Sequence, residues 1–93
     1  MNMVSELREP TYLVLTALAD RPLHGYAIIA EVSLITKGQV KLRAGSLYGT
    51  LDRLVDEGLV QTSGEEVVDG RLRRYYTLTE PGKAALALSL IHI

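Results

Sequence analysis

Two runs of basic side chains stand apart in a 93-residue chain whose formal net charge is only −1. Lys37, Lys41, Arg43 and Arg53 face Asp52 alone between residues 37 and 53, and Arg71, Arg73 and Arg74 have no acidic neighbour between residues 70 and 78. Each window carries +3, which leaves −7 for the rest of the chain. The sum of charge argues against a nucleic-acid partner, but clustered lysine and arginine suit phosphate. A solvated surface face produces such clusters too, so the decision rests on where the elements place them.

Other side chains near the first window could share that chemistry. Ser46 and Tyr48 can donate hydroxyl hydrogen bonds to phosphate beside the positive end of a helix, the alternatives being a cap for Ser46 and core-edge packing for Tyr48. Gly49 lowers helix stability by roughly 1 kcal/mol against alanine, which points to the close approach of another surface, either a DNA backbone or the chain's own hairpin. Thr50 can meet a thymine methyl and Arg53 can grip guanine bidentately, unless Arg53 pairs with Glu57 one turn on. In the second window strand alternation puts Arg71, Arg73 and Tyr75 on one face and Leu72, Tyr76 and Leu78 on the core face. Arg74 falls among the latter, so Arg73 is the firmer choice for DNA.

Catalysis has little to work with. His24 and His92 have no second base or ligand patterned beside them, and zero cysteines exclude thiolate zinc, thiol catalysis and disulfides. Gly45-Ser46-Leu47-Tyr48-Gly49 lacks the centred serine of a nucleophile elbow. Asp52, Asp56 and Glu57 read as a solvated helix face. No enzyme, metal or cofactor is expected.

The elements that must position the basic windows follow from apolar spacing. Pro10 to Ala19 reads as a helix with Leu7, Val14, Leu15 and Leu18 in register. A second helix runs from His24 or Gly25 to about Thr36, with Ile28, Val32 and Ile35 on one stripe and Gly38 as its stop. A third runs from Ala44 to Glu57, closed by Gly58, with Leu47, Leu51, Leu54 and Val55 inward. Leu59 to Ser63 then reads as a strand, Gly64 to Gly70 as a turn and Arg71 to Leu78 as a returning strand. Thr79 caps a fourth helix with Pro81 in its first turn. The tyrosines, the only aromatic residues, sit at core edges.

The expected fold is therefore α+β, mainly α: a winged helix-turn-helix of three helices, a two-stranded wing and a C-terminal dimerisation helix. Residues 1–78 form the DNA-binding domain and residues 79–93 the dimerisation helix. Both basic windows fall on the elements that such a fold presents to DNA, the third helix and the wing. The same fold also serves as a protein-docking module, which is the alternative. At 47% hydrophobic content the chain makes one core and no second domain, and a 93-residue chain is small enough for a partner surface to matter. Ala84 to Ile93 carries no charge, and apolar residues on all sides imply burial against a second subunit. Without a signal sequence or the roughly 18 uncharged apolar residues of a membrane span, the chain is expected in the cytoplasm.

Leu23-His24-Gly25-Tyr26, Gly45-Ser46-Leu47-Tyr48 with Leu51, Leu54 and Glu57-Gly58-Leu59, and Gly70-Arg71 through Arg74-Tyr75-Tyr76 to Leu78-Thr79-Glu80-Pro81-Gly82 form an ordered set. In these the sequence resembles the PadR-type transcriptional regulators over nearly its whole length. The resemblance implies a homodimeric repressor bound to double-stranded DNA and released by a small molecule or another signal. It supports Lys41, Arg43, Ser46, Tyr48, Gly49, Thr50, Arg53, Arg71, Arg73 and Arg74 as DNA contacts. Leu7, Leu86, Leu90 and Ile91 are then expected to serve dimerisation. Two departures stand out: Leu72 occupies a place in the wing where the family often has proline, and the family's C-terminal region is longer. Without tryptophan, stacking of a flat drug cannot be carried over.

Overall fold

The computed structural model describes residues 9–91, arranged as α1 (Glu9–Ala17), β1 (Leu23–His24), α2 (Gly25–Ile35), α3 (Ala44–Asp56), β2 (Val60–Val68), β3 (Arg71–Leu78) and α4 (Glu80–Ile91). The three strands form one antiparallel sheet in the order β1-β3-β2. Leu13, Val14, Leu15, Ala17 and Leu18 put α1 in the middle of the molecule, packed on both α2 and α4. Ile28 and Val32 of α2, Leu47, Leu51 and Leu54 of α3, and Leu86 of α4 close on it, with Leu23, Val60, Tyr76 and Leu78 supplying the sheet's share of the core.

Helix α1 stops two residues before the expected Ala19. The Leu18 amide is shared between the Val14 and Leu15 carbonyls at 3.1 and 3.2 Å, and the Ala19 amide reaches back three residues to Thr16, so the last turn tightens out of α geometry. The ends of α2 and α3 share one closing device. Beyond α3 the Gly58 amide bonds the Val55 carbonyl (3.0 Å) and the Leu59 amide the Leu54 carbonyl (3.0 Å), with Gly58 at φ 78°. Beyond α2 the same pair of bonds runs from Lys37 to Leu34 and from Gly38 to Ser33 (3.1 and 2.7 Å), so a lysine at φ 55° holds the left-handed position that glycine usually takes.

The hairpin differs most from its sequence reading. Strand β2 runs to Val68 and the turn shrinks to Asp69-Gly70, at φ 52° and 77°, the two-residue geometry that matches strand twist. Opposite Tyr75 and Tyr76 the register slips between Thr62 and Gly64, leaving Ser63 as a bulge. Glu65 and Glu66 belong to the strand because they sit across from Arg74 and Arg73. Only the base of the wing touches the core, so Leu72, expected on the core face, is 59% exposed, and Val55 at the end of the α3 stripe is exposed as well. A further strand, β1, pairs Leu23 with Tyr76 and His24 with Tyr75.

Candidate nucleic-acid interface

The surface in question is built around α3. With 100° between successive residues, Leu47, Leu51 and Leu54 face inward, and the opposite side is centred on Gly45, Gly49, Asp52 and Asp56. A Cβ built on Gly45 or Gly49 would meet no atom within 4 Å. Packing of the wing against Gly49, one of the two readings of that residue, is therefore not what the fold does. The first half of this outward side is open and uncharged, whereas the second half is acidic.

Each flank of α3 meets a different element. On one side Ser46 and Thr50 line a hollow of about 200 Å³ with Pro10, Val14, Lys41 and Arg43. Arg43 is the helix's N-cap residue and gives it no side-chain bond, so Ser46, exposed in the first turn, is not the cap. The amides at the start of α3 thus lack a side-chain acceptor, and such amides suit an anion. On the other side the Tyr48 ring crosses to α2. A Cβ on Gly25 would fall on the Tyr48 hydroxyl and within 2.8 Å of its Cζ, so glycine at the start of α2 leaves room for the Tyr48 ring as it is placed here.

His24 caps α2 by accepting the Ala27 amide at Nδ1 (3.3 Å). Its ring meets Tyr75 edge to face, with centroids 5.4 Å apart. The Tyr75 hydroxyl donates in turn to Glu66 at 2.5 Å, and this carboxylate partner holds the phenol above its ordinary pKa. The wing is thereby tied to the start of α2. A cleft of about 680 Å³ opens between them, lined by Tyr26, Tyr48, Asp69 and Arg71 to Arg74.

Not every basic residue singled out in the sequence is free to act on a ligand. Arg74 pairs with Glu65 at 3.0 Å, a contact that raises its pKa further. Arg73 lies opposite Glu66. Counted over both strands, residues 60–78 hold three arginines and Glu65, Glu66 and Asp69, so the wing is neutral and the +3 of residues 70–78 was the charge of one strand alone. Arg53 is engaged twice, donating from Nη2 to the hydroxyl of buried Thr11 (2.6 Å) and from Nη1 to Glu57 (3.4 Å). Among the described residues Lys41, Arg43 and Arg71 enter no ion pair.

Of the residues expected at a dimer contact, Leu7 lies outside the described residues, as do the side chains of Leu90 and Ile91. Leu86 is covered by the chain's own core, and among the described side chains of α4 the large apolar one that is exposed is Leu88, at 57%. Sequence reasoning also missed Thr11, Gly25 and the acids of β2 as parts of this site. The Asp69-Gly70 pair was a legible hairpin signal.

Residues 14–88 match the model of the transcriptional regulator PadR-like family. The chain belongs to that family. It is 41% identical over 73 residues to the transcriptional regulator Rv3488 of Mycobacterium tuberculosis, a match spanning 78% of this chain and 64% of that protein. Its fold is similar to that of Bacillus subtilis PadR in complex with operator DNA, with a TM-score of 0.81 and 26% identity, covering 94% of this chain and 49% of the other. A PadR family regulator from Eggerthella lenta is similar at a TM-score of 0.69 and 31% identity, over 96% of this chain and 77% of the other. The chain thus spans about half of the Bacillus PadR chain and under two thirds of the mycobacterial regulator. Among the described residues no helix is long and apolar enough to cross a membrane.

Proposed function

We propose that the chain binds double-stranded DNA sequence-specifically as a homodimer on an inverted repeat and acts as a repressor of transcription. The first two turns of α3 enter the major groove, with Gly45 and Gly49 letting the duplex approach the helix backbone while Ser46, Tyr48 and Thr50 reach phosphate and base edges. Lys41 and Arg43 hold the backbone at the start of α3, and Arg71 and Arg73 meet it from the wing. Arg53 reads a base only by leaving Thr11. The second subunit packs through α1 and α4, where Leu88 is outward.

The observation that carries this reading is the open, uncharged first half of α3 beside two cations without ion-pair partners, in a fold similar to that of a regulator solved on its operator. The test is a salt titration of binding to the DNA upstream of its own coding sequence and to a scrambled duplex, with a footprint at low salt. The expected result is a steep loss of affinity with salt, by a log-log slope of about −0.9 for each phosphate neutralised. Protection over two half-sites about 34 to 36 Å apart is expected with it. A shallow slope with equal affinity for both duplexes overturns the proposal. The docking alternative draws on the neutral wing and on Leu34, exposed near the end of α2, and such a shallow slope is its signature.

A further inference from the structure

A polar bond between distant parts of the chain ties α1 to the flank of α3. Thr11 stands in the first turn of α1 and is only 4% exposed, whereas Arg53 on α3 reaches water. The guanidinium donates from Nη2 to the Thr11 hydroxyl oxygen at 2.6 Å and from Nη1 to the two oxygens of Glu57 at 3.4 Å each. The first bond is short and reaches a buried acceptor. The second is long and joins two exposed side chains of one helix, a kind of pair that water and entropy leave with little strength. Thr11 is therefore the anchor of Arg53.

The place of Arg53 on the helix gives that anchor a consequence. At 100° per residue it shares the flank of Ser46 and Thr50 and borders the outward side at Gly49. This flank faces α1, since Ser46 and Thr50 line a hollow together with Pro10 and Val14. The long side chain thus has two destinations. It lies back on α1, as observed, or it turns outward over the open half of α3. Only the second brings it to a base edge. Gripping guanine at O6 and N7 takes two parallel N–H groups, and both terminal nitrogens of Arg53 are already engaged. The base and Thr11 compete for one guanidinium.

We propose that Thr11 is a specificity-determining residue that touches no DNA. Its buried hydroxyl holds Arg53 on α1 and so sets how strongly the chain prefers guanine at the base pair that Arg53 reads. This rests on the DNA-binding reading above and deepens it, placing control of one α3 contact on a different helix. A charged donor that leaves a short bond gives up one of the stronger kinds of hydrogen bond, so the guanine contact discriminates less than a free arginine would. Removing the hydroxyl removes the competitor and leaves Glu57 as a weak one.

The test begins with duplexes enriched from a random-sequence pool by the unaltered chain and by Arg53→Ala. The base pair at which their preferences part is the one that Arg53 reads, and affinities are then measured for the enriched duplex and for forms altered there. Thr11→Val keeps the shape of the side chain without the hydroxyl. Its preference for guanine is expected to exceed that of the unaltered chain by about five- to tenfold, while Thr11→Ser, which keeps the hydroxyl, keeps the original preference. In the Arg53→Ala background Thr11→Val is expected to leave the preference as it is. The unaltered chain gives a further reading that no substitution can spoil: the side-chain ¹⁵N signals of Arg53 are expected to shift on adding the enriched duplex and much less on adding an altered one. A valine variant whose preference is unchanged or lowered overturns the proposal, because Thr11 then only supports the position of α3. Arg53 signals that ignore the duplex overturn it too, as does an Arg53→Ala variant that keeps the guanine preference. If the unaltered chain enriches no duplex at all, the DNA-binding reading itself fails, a result distinct from all of these.

Discussion

Replacing Gly49 by alanine separates stability from binding, because the two are expected to move in opposite directions. Within the protein the added Cβ meets nothing within 4 Å, so no clash offsets the gain in helix propensity of ~1 kcal/mol. In a chain of this size that raises the thermal midpoint by roughly 4–8 °C. Against DNA the same methyl stands about 1.5 Å out from Cα at the centre of the outward side of α3. It holds the duplex off the helix, and phosphate hydrogen bonds near 2.9 Å weaken steeply when stretched. Affinity is expected to fall about tenfold, or ~1.4 kcal/mol, so the more stable protein is the poorer binder. Thermal unfolding by circular dichroism and an anisotropy titration on a labelled duplex measure the two quantities. A variant that gains stability and binds as tightly as before would refute the reasoning, since the duplex would not reach the middle of α3.

Arg74→Ala is expected to change the salt slope much less than Arg71→Ala, since Glu65 already neutralises Arg74; paired salt titrations decide this. Thr11→Val frees the Arg53 guanidinium from its 2.6 Å bond and is expected to lower stability by about 1 kcal/mol without relaxing base preference, whereas Arg53→Ala lowers both, as denaturant titration and selection from a random pool will tell. Lys37→Gly relieves the left-handed backbone at φ 55° and is expected to stabilise the fold by ~1 kcal/mol in the same denaturant assay. The Tyr75 phenol is held above its ordinary pKa, chiefly by its hydrogen bond to Glu66. The stabilisation it gives is therefore full below the ordinary tyrosine range, about pH 10, and is lost as pH rises through the raised value. Glu66→Gln is expected to bring one tyrosine back toward that range in an ultraviolet titration.

The elements whose apolar spacing is answered by the core were legible in the sequence. Leu47, Leu51 and Leu54 recur on one stripe because all three are buried in the common core, and Thr79 before Pro81 announced the start of α4. The returning strand of the wing, Arg71–Leu78, was read with its observed bounds, whereas the first strand was read too short for the same physical reason. Beyond Val60 the side chains of β2 face water, so no alternation marks its outer half, and Glu65-Glu66 looks like a loop until Arg73 and Arg74 are placed opposite. Strand β1, with two residues, is too short to show any period. The charge count failed across strands, since a window along the sequence cannot see acids that pairing brings to the same surface. Arg53 was legible as a cation on α3 but not as the partner of Thr11, 42 residues away.

What places α3 is a pair of unlike contacts at its two ends. Tyr48, in the second turn, lies against Gly25 so closely that a side chain there would require the ring to move. At the far end, the Thr79 hydroxyl donates to the Gly58 carbonyl (2.6 Å) and accepts the Gly82 amide (3.0 Å), while the Thr79 amide bonds the Leu59 carbonyl (3.1 Å). A Cβ on Gly82 would strike the Leu59 carbonyl, so α4 starts directly against the residues that close α3. The start of α4 is therefore joined to the end of α3 by hydrogen bonds and a backbone contact, whereas at the other end of α3 the contact is one tyrosine ring. The first two turns of α3, the half without acids, lie at the tyrosine end, so the open outward side of the helix is positioned by a side-chain contact and the acidic half by the backbone.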